Sequence, residues 1–199
     1  ILDSGSGIRL LGQQLVQEFQ GRSLDLSILL THTHWDHIQG FPFFAPMFMP
    51  NYEFGIYSGH LSNAGGVENV LSSQMANPLF PVPLEALQAK LRFVDFEAGE
   101  SWDHGGGVKI TTKPLNHPNG ATGYRIEHGG QTICYVTDTE HVAGRLDQNI
   151  LRLIDGADVV IYDSTYTDQE YLSKVGWGHS TWREGVRLAQ EAGIGRLVL

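Results

Sequence analysis

The chain has 199 residues, a formal net charge of −9 and a hydrophobic fraction of 41%, which suits a globular domain with a sizeable core. The acidic balance argues against long nucleic acid as a partner, because phosphate backbones are gripped through basic footprints. No apolar run reaches the roughly 18 residues of a membrane-spanning helix, and no signal peptide is visible. The single cysteine, Cys134, excludes an internal disulfide framework and suits a reducing, cytoplasmic compartment. Its apolar neighbours predict a buried strand position.

The chain opens without Met in an apolar stretch, Ile1 and Leu2, and stops in another at Leu197, Val198 and Leu199. Both ends read as strands cut from what flanks them. Residues 1–3 read as a strand end, with Gly5 and Gly7 turning the chain. Ile8, Leu11, Leu15 and Phe19 recur at helical spacing until Gly21 stops the helix. Residues 26–30 predict a short buried strand that leads into a His-rich loop at 32–37. Residues 41–50 are aromatic and broken by proline, and read as loop. Phe41, Phe43, Phe44, Phe48, Tyr52 and Phe54 read first as core, and second as a pocket wall or base-stacking surface. A strand is expected at 55–58 and short helices at 67–75 and 84–91. Strands follow at 108–115, 124–127 and 132–136, the last two flanking a hairpin turn at His128, Gly129 and Gly130. A helix at 150–154, a strand at 159–162, a helix at 181–192 and a strand beginning at 198 complete the chain. Trp182, Val186 and Ala189 lie on one face of that last helix. No linker interrupts the pattern, so the chain reads as a single domain over 1–199, truncated at both ends, of α/β or α+β class.

The strongest chemical signal is Thr31, His32, Thr33, His34, Trp35, Asp36 and His37. Imidazole and carboxylate are the ligands that borderline divalent metals such as zinc prefer. The spacing splits into His32 and His34 for one ion and Asp36 and His37 for a second. His117 and Asp138 each follow an apolar strand, where a side chain rests on a rigid element and faces a common rim. By itself each reads as an ordinary loop or turn residue; the first motif gives them weight.

These segments, with Asp3, Ser4 and Gly5 before them, resemble the metallo-β-lactamase superfamily over nearly the whole chain. The resemblance implies a four-layer αββα sandwich, two mixed β-sheets flanked by helices. It implies that His32, His34 and His117 hold a first metal, that Asp36 and His37 hold a second, and that Asp138 bridges both. Asp3 matches an early aspartate that hydrogen-bonds a ligand; its alternative role is to cap the glycine turn. The family supplies a further histidine after a strand near the C-terminus. Residues 196–199 match the approach to it, but the chain ends first, which reads as truncation; without that histidine the second site would be weakened or empty.

Asp138 followed by Thr139, together with Gly178, His179, Ser180 and Thr181, resembles the ribonuclease Z and cyclic-phosphodiesterase branch. His179 is then a phosphate contact, with Ser180 as cap of the following helix. Asp163, Ser164, Thr165 and Tyr166 also resemble the branch, and read as a strand-end cap or a supporting hydrogen bond. Between the motifs, residues 41–104 hold two bases, Lys90 and Arg92, against seven acids, which favours a small or cyclic phosphodiester over a polyanion. The candidate catalytic residues are Asp36, Asp138 and His179, working with a hydroxide shared between two ions, zinc first, manganese or iron otherwise. The rival readings are a thioesterase or glyoxalase-II-like hydrolase, a ribonuclease Z-type endonuclease, and a metal-binding protein without turnover. A homo-oligomer is left open, and a pocket role for His60 is a minor alternative.

Overall fold

A computed structural model describes residues 1–61 and 65–199. It divides into two compact units, Ile1–Phe96 and Glu97–Leu199. No helix among the described residues is long and apolar enough to cross a membrane.

The first unit begins with α1 (Ile8–Glu18), β1 (Leu24–Leu30) and the one-turn helix α2 (Trp35–Ile38). Short 3-10 turns at Phe41–Phe43 and Ala45–Phe48 lead to β2 (Tyr52–Ser58), α3 (Val67–Gln74), a 3-10 turn at Leu84–Ala86 and β3 (Lys90–Asp95). The strands form a parallel sheet in the order β1-β2-β3. Parallel strands are covered on both faces and so read as nearly continuous apolar runs. This is why β2 is buried at every position except Glu53. Residue 2 adds a bridge to Leu29, in keeping with the strand end expected there. The aromatic segment is mainly core: Phe41, Phe44, Tyr52 and Phe54 are buried in one cluster and Phe48 packs against it, whereas Phe43 is exposed. Burying each such side chain contributes about 1.5–3 kcal/mol.

Two expectations fail here. The 84–91 helix is only a single 3-10 turn, because residues from Lys90 onward pair with β2, Lys90 opposite Glu53. The His-rich loop is partly helical, since Trp35 opens α2 and His34 serves as its N-cap.

The second unit comprises β4 (Ser101–Gly105), β5 (Val108–Leu115), β6 (Ala121–His128), β7 (Gln131–Val136), α4 (Gln148–Ile154), β8 (Val159–Tyr162), α5 (Asp168–Tyr171), α6 (Trp182–Glu191) and β9 (Arg196–Val198). Its six-stranded sheet runs in that order, antiparallel from β4 to β7 and parallel from β7 to β9. The β6–β7 hairpin closes through Gly129 and Gly130, both at positive φ, as two-residue hairpin turns require. Cys134 is fully buried in β7, as its neighbours predict.

This topology builds a rim. β5 and β7 are both antiparallel to β6, so they run the same way, and β8 runs with β7. The C-terminal ends of all three therefore lie along one edge, and His117, Asp138 and Asp163 follow within two residues of them. In the first unit the C-terminal ends of β1 and β2 lead in the same manner to His32 and His60.

Candidate metal centre

In the first unit β1 ends at Leu30, and Thr31 starts a buried hydrogen-bond system. Asp3 adopts a left-handed backbone (φ 57°), and non-glycine residues there cost free energy that surrounding contacts must offset. Its Oδ1 accepts from the Thr31 backbone N–H at 2.7 Å, and its carboxylate accepts from the Thr31 hydroxyl at 2.9 and 3.0 Å. Oδ2 accepts from His37 Nδ1 at 2.9 Å. The Thr31 hydroxyl, having donated its proton to Asp3, accepts from His32 Nδ1 at 3.1 Å.

These bonds fix tautomers. A histidine whose Nδ1–H is held by an acceptor presents an Nε2 lone pair. His32 and His37 are both held so. His32 Nε2 stands 3.0 Å from His34 Nδ1, two nitrogens converging on one point. His37 Nε2 stands 3.3 Å from Asp36 Oδ2. A lone pair facing a carboxylate needs a proton or a cation between them, so the donor set fits a divalent ion. His60 lies beside this cluster, its Nε2 3.1 Å from Thr33 Oγ1 and its Nδ1 3.0 Å from Ser58 Oγ.

In the second unit His117 and Asp138 are buried, with His117 Nε2 4.0 Å from Asp138 Oδ2. His117 Nδ1 donates to the Gly178 carbonyl at 2.8 Å, so its Nε2 is the nitrogen that can ligate. Asp138, like Asp3, is left-handed (φ 51°), and accepts from the Thr137 hydroxyl at 2.7 Å. The His179 ring lies 5.5 Å from that of His117, centroid to centroid.

Asp163 makes the supporting hydrogen bonds that the sequence suggests for it. Its Oδ2 accepts from His179 Nδ1 and from the Thr139 backbone N–H, each at 3.1 Å, and its Oδ1 accepts from Thr165 N and Oγ1 at 3.0 and 2.7 Å. Asp138, Asp163 and His179 each offer a ligand atom within 4.8 Å of the others. A carboxylate has about four acceptor sites, and those of Asp163 are committed, so Asp163 serves to orient His179. The signal was present in the sequence, since Asp163 follows an apolar strand just as Asp138 does. Ser180 is not the cap of α6. Thr181 is, accepting from the Glu184 N–H, while Ser180 Oγ meets His141 Nδ1 at 2.8 Å and accepts from the Tyr162 hydroxyl at 2.9 Å.

The sites sit on a known framework. Residues 2–199 match the family model described as the β-lactamase superfamily domain, and the chain belongs to that family, the metallo-β-lactamase superfamily of hydrolases. It is 24% identical over 252 residues to ribonuclease BN of Escherichia coli, covering 100% of this chain and 76% of the relative. It is 36% identical over 70 residues to ribonuclease Z of Brevibacillus brevis, a match spanning 35% of this chain and 20% of that protein. Among solved structures it is similar to the metallo-β-lactamase fold protein YhfI of Bacillus subtilis, with a TM-score of 0.69 and 24% identity over 98% of this chain and 70% of that one. That likeness shows the fold expected from the sequence.

Proposed function

We propose that this chain is a metal-dependent phosphodiesterase, its two units forming one hydrolase domain over 1–199. His32, His34, Asp36 and His37, with His117 and Asp138, would hold two divalent ions, zinc first. Bound there, the ions would supply Lewis acidity, lowering the pKa of water and polarising a phosphoryl oxygen. The observation that carries the reading is a shared contact: Nδ1 of His32, His37 and His117 lies within 3.1 Å of Thr31 Oγ1, Asp3 Oδ2 and the Gly178 carbonyl, partners that favour the Nδ1–H tautomer and so an Nε2 lone pair suited to a metal.

The protein's own residues supply the rest. Asp3 and Thr31 hold the first-unit imidazoles in orientation, and the Gly178 carbonyl holds His117. His179, anchored through Nδ1 to Asp163, acts through Nε2. It hydrogen-bonds a phosphoryl oxygen and delivers a proton to the leaving oxygen, while Asp163 stabilises the imidazolium that precedes transfer. The acidic run at 41–104 supports a small or cyclic diester. The ribonuclease names of the curated relatives favour RNA as a second reading. The lone, buried Cys134 accords with a reducing, cytoplasmic setting.

His179→Ala tests the role of this residue. Loss of a general acid is expected to cost about 10²–10⁴-fold in turnover on a diester with an alkoxide leaving group. On bis(p-nitrophenyl) phosphate, whose leaving group needs little protonation, the loss is expected to be smaller. Metal content should stay unchanged. Equal losses on both substrates, or release of metal, would remove His179 from proton transfer. Parallel assays on cyclic nucleotides, short RNA and thioesters separate the substrate classes.

A further inference from the structure

Glu140 follows the proposed ligand Asp138 by two residues, and its carboxylate is committed to another segment. Its oxygens accept from the Gly176 backbone N–H at 2.8 and 2.9 Å and from the Gly178 N–H at 2.7 Å. The Tyr171 hydroxyl approaches Oε1 at 3.4 Å and donates to the carbonyl of His141 at 2.8 Å. The main chain of Glu140 is pinned as well, since its N–H donates to the Asn116 carbonyl and its own carbonyl accepts from Asn116 Nδ2, both at 2.7 Å. Residue 116 immediately precedes His117.

Gly178 is the hinge of this arrangement. Its N–H reaches Glu140 and its carbonyl accepts from His117 Nδ1. At φ +86°, an added Cβ would lie 2.3 Å from Pro118 Cδ and 2.4 Å from His117 Nδ1. The peptide planes flanking Gly178 are thus held from both sides, and His179 follows directly. His141 Nδ1 meets Ser180 Oγ just beyond, so the segment carrying His179 is anchored before and after by consecutive residues, Glu140 and His141.

We infer that Glu140 is a positioning residue: its carboxylate clamps the 176–178 backbone so that the Gly178 carbonyl fixes His117 as the Nδ1–H tautomer, with Nε2 set for metal. The clamp is charge-assisted and has two backbone donors, which makes it stronger and more directional than a neutral bond. Supporting contacts of this kind tune metal affinity without touching the ion. The metal part of the inference rests on the reading of His117 as a ligand; the tautomer part does not.

The test uses Glu140→Ala and Glu140→Gln in the full chain. The side chain of His117 is followed in metal-free protein by long-range proton–nitrogen correlation spectra, and metal affinity by competition with a chromophoric chelator. In the wild type the His117 Nδ1–H signal is expected to be protected from exchange. In Glu140→Ala it should lose protection and mix with the other tautomer, and metal affinity should fall by about 10–100-fold. Glu140→Gln keeps one accepting oxygen but loses the charge, so its loss of protection and affinity should be intermediate between wild type and Glu140→Ala, and measurable even where the alanine variant does not fold. Unchanged His117 signals and metal affinity in both folded variants would overturn the inference. A shifted His117 signal, with metal affinity unchanged in Glu140→Ala and also in His117→Ala, would support the clamp and overturn the metal reading of His117 instead.

Discussion

Asp3 accepts from Thr31 and His37, and Asp163 accepts from Thr139, Thr165 and His179. Each carboxylate therefore decides where an imidazole points and which nitrogen carries its proton. Asparagine at residue 3 offers one accepting oxygen where the carboxylate offers two. If its amide nitrogen faces His37, Nδ1 must become an acceptor and the proton moves to Nε2, the nitrogen needed for metal. Asp3→Asn is expected to weaken metal binding by about 10–100-fold in a competition titration, and unchanged affinity would contradict the tautomer argument. Asp163 acts only through His179 in this account. Asp163→Asn should lower turnover, but adding it to His179→Ala should cost nothing further, because residues acting as a unit are non-additive. Losses that multiply in the double variant would give Asp163 a separate role.

The elements differ in how much of them the sequence could reveal. β8 was legible because it is a short apolar run bounded by turn residues. The hairpin at Gly129 and Gly130 was legible because positive φ leaves glycine as the favoured residue. The buried face of α6 was not legible. Periodicity chose Trp182, Val186 and Ala189, whereas the buried residues are Glu184, Gly185 and Leu188. Gly185 lets the Tyr162 ring approach to 2.7 Å of where a Cβ would stand, and Glu184 goes inside with Arg187 Nη1 2.7 Å from its Oε2. A glycine and a paired glutamate carry no apolar signal, so a hydrophobic pattern misses them. The His32–His37 motif was legible because its spacing is rare, whereas the work of Asp163 depends on partners distant in sequence. The 173–178 loop allows a controlled comparison. Gly176 and Gly178 both have positive φ, near 89° and 86°, but nothing lies within 4 Å of a Cβ at Gly176 while Pro118 and His117 crowd one at Gly178. Gly176→Ala should cost only backbone strain, on the order of 1–3 kcal/mol, or roughly 2–4 °C in Tm per kcal/mol for a chain of this size. Gly178→Ala should lower Tm further and weaken metal binding as well. Equal Tm losses with full metal binding in both would contradict the crowding argument.

For the molecule as a whole, burial has a consequence at high pH. The Cys134 thiol is pushed up from 9.0 to about 12, chiefly by desolvation, and burial likewise raises the Tyr162 hydroxyl above its ordinary value. Above pH 9 the unfolded chain loses the thiol proton while the folded chain keeps it. The stability this group contributes is therefore complete below pH 9 and falls as pH rises toward about 12, by about 1.4 kcal/mol per pH unit. Urea unfolding at pH 8, 9, 10 and 11 should show that decline, steepening above pH 10 as tyrosine joins, and Cys134→Ala should flatten it. A pH-independent midpoint would mean the thiol is not buried as described. The proposal that the protein is a metal-dependent phosphodiesterase is checked by turnover of bis(p-nitrophenyl) phosphate before chelation, after chelation and after addition of zinc or manganese. Hydrolysis that disappears with the metal and returns with it is the expected result. Hydrolysis that survives complete metal removal, or none from protein shown by elemental analysis to carry its metal, would contradict the account.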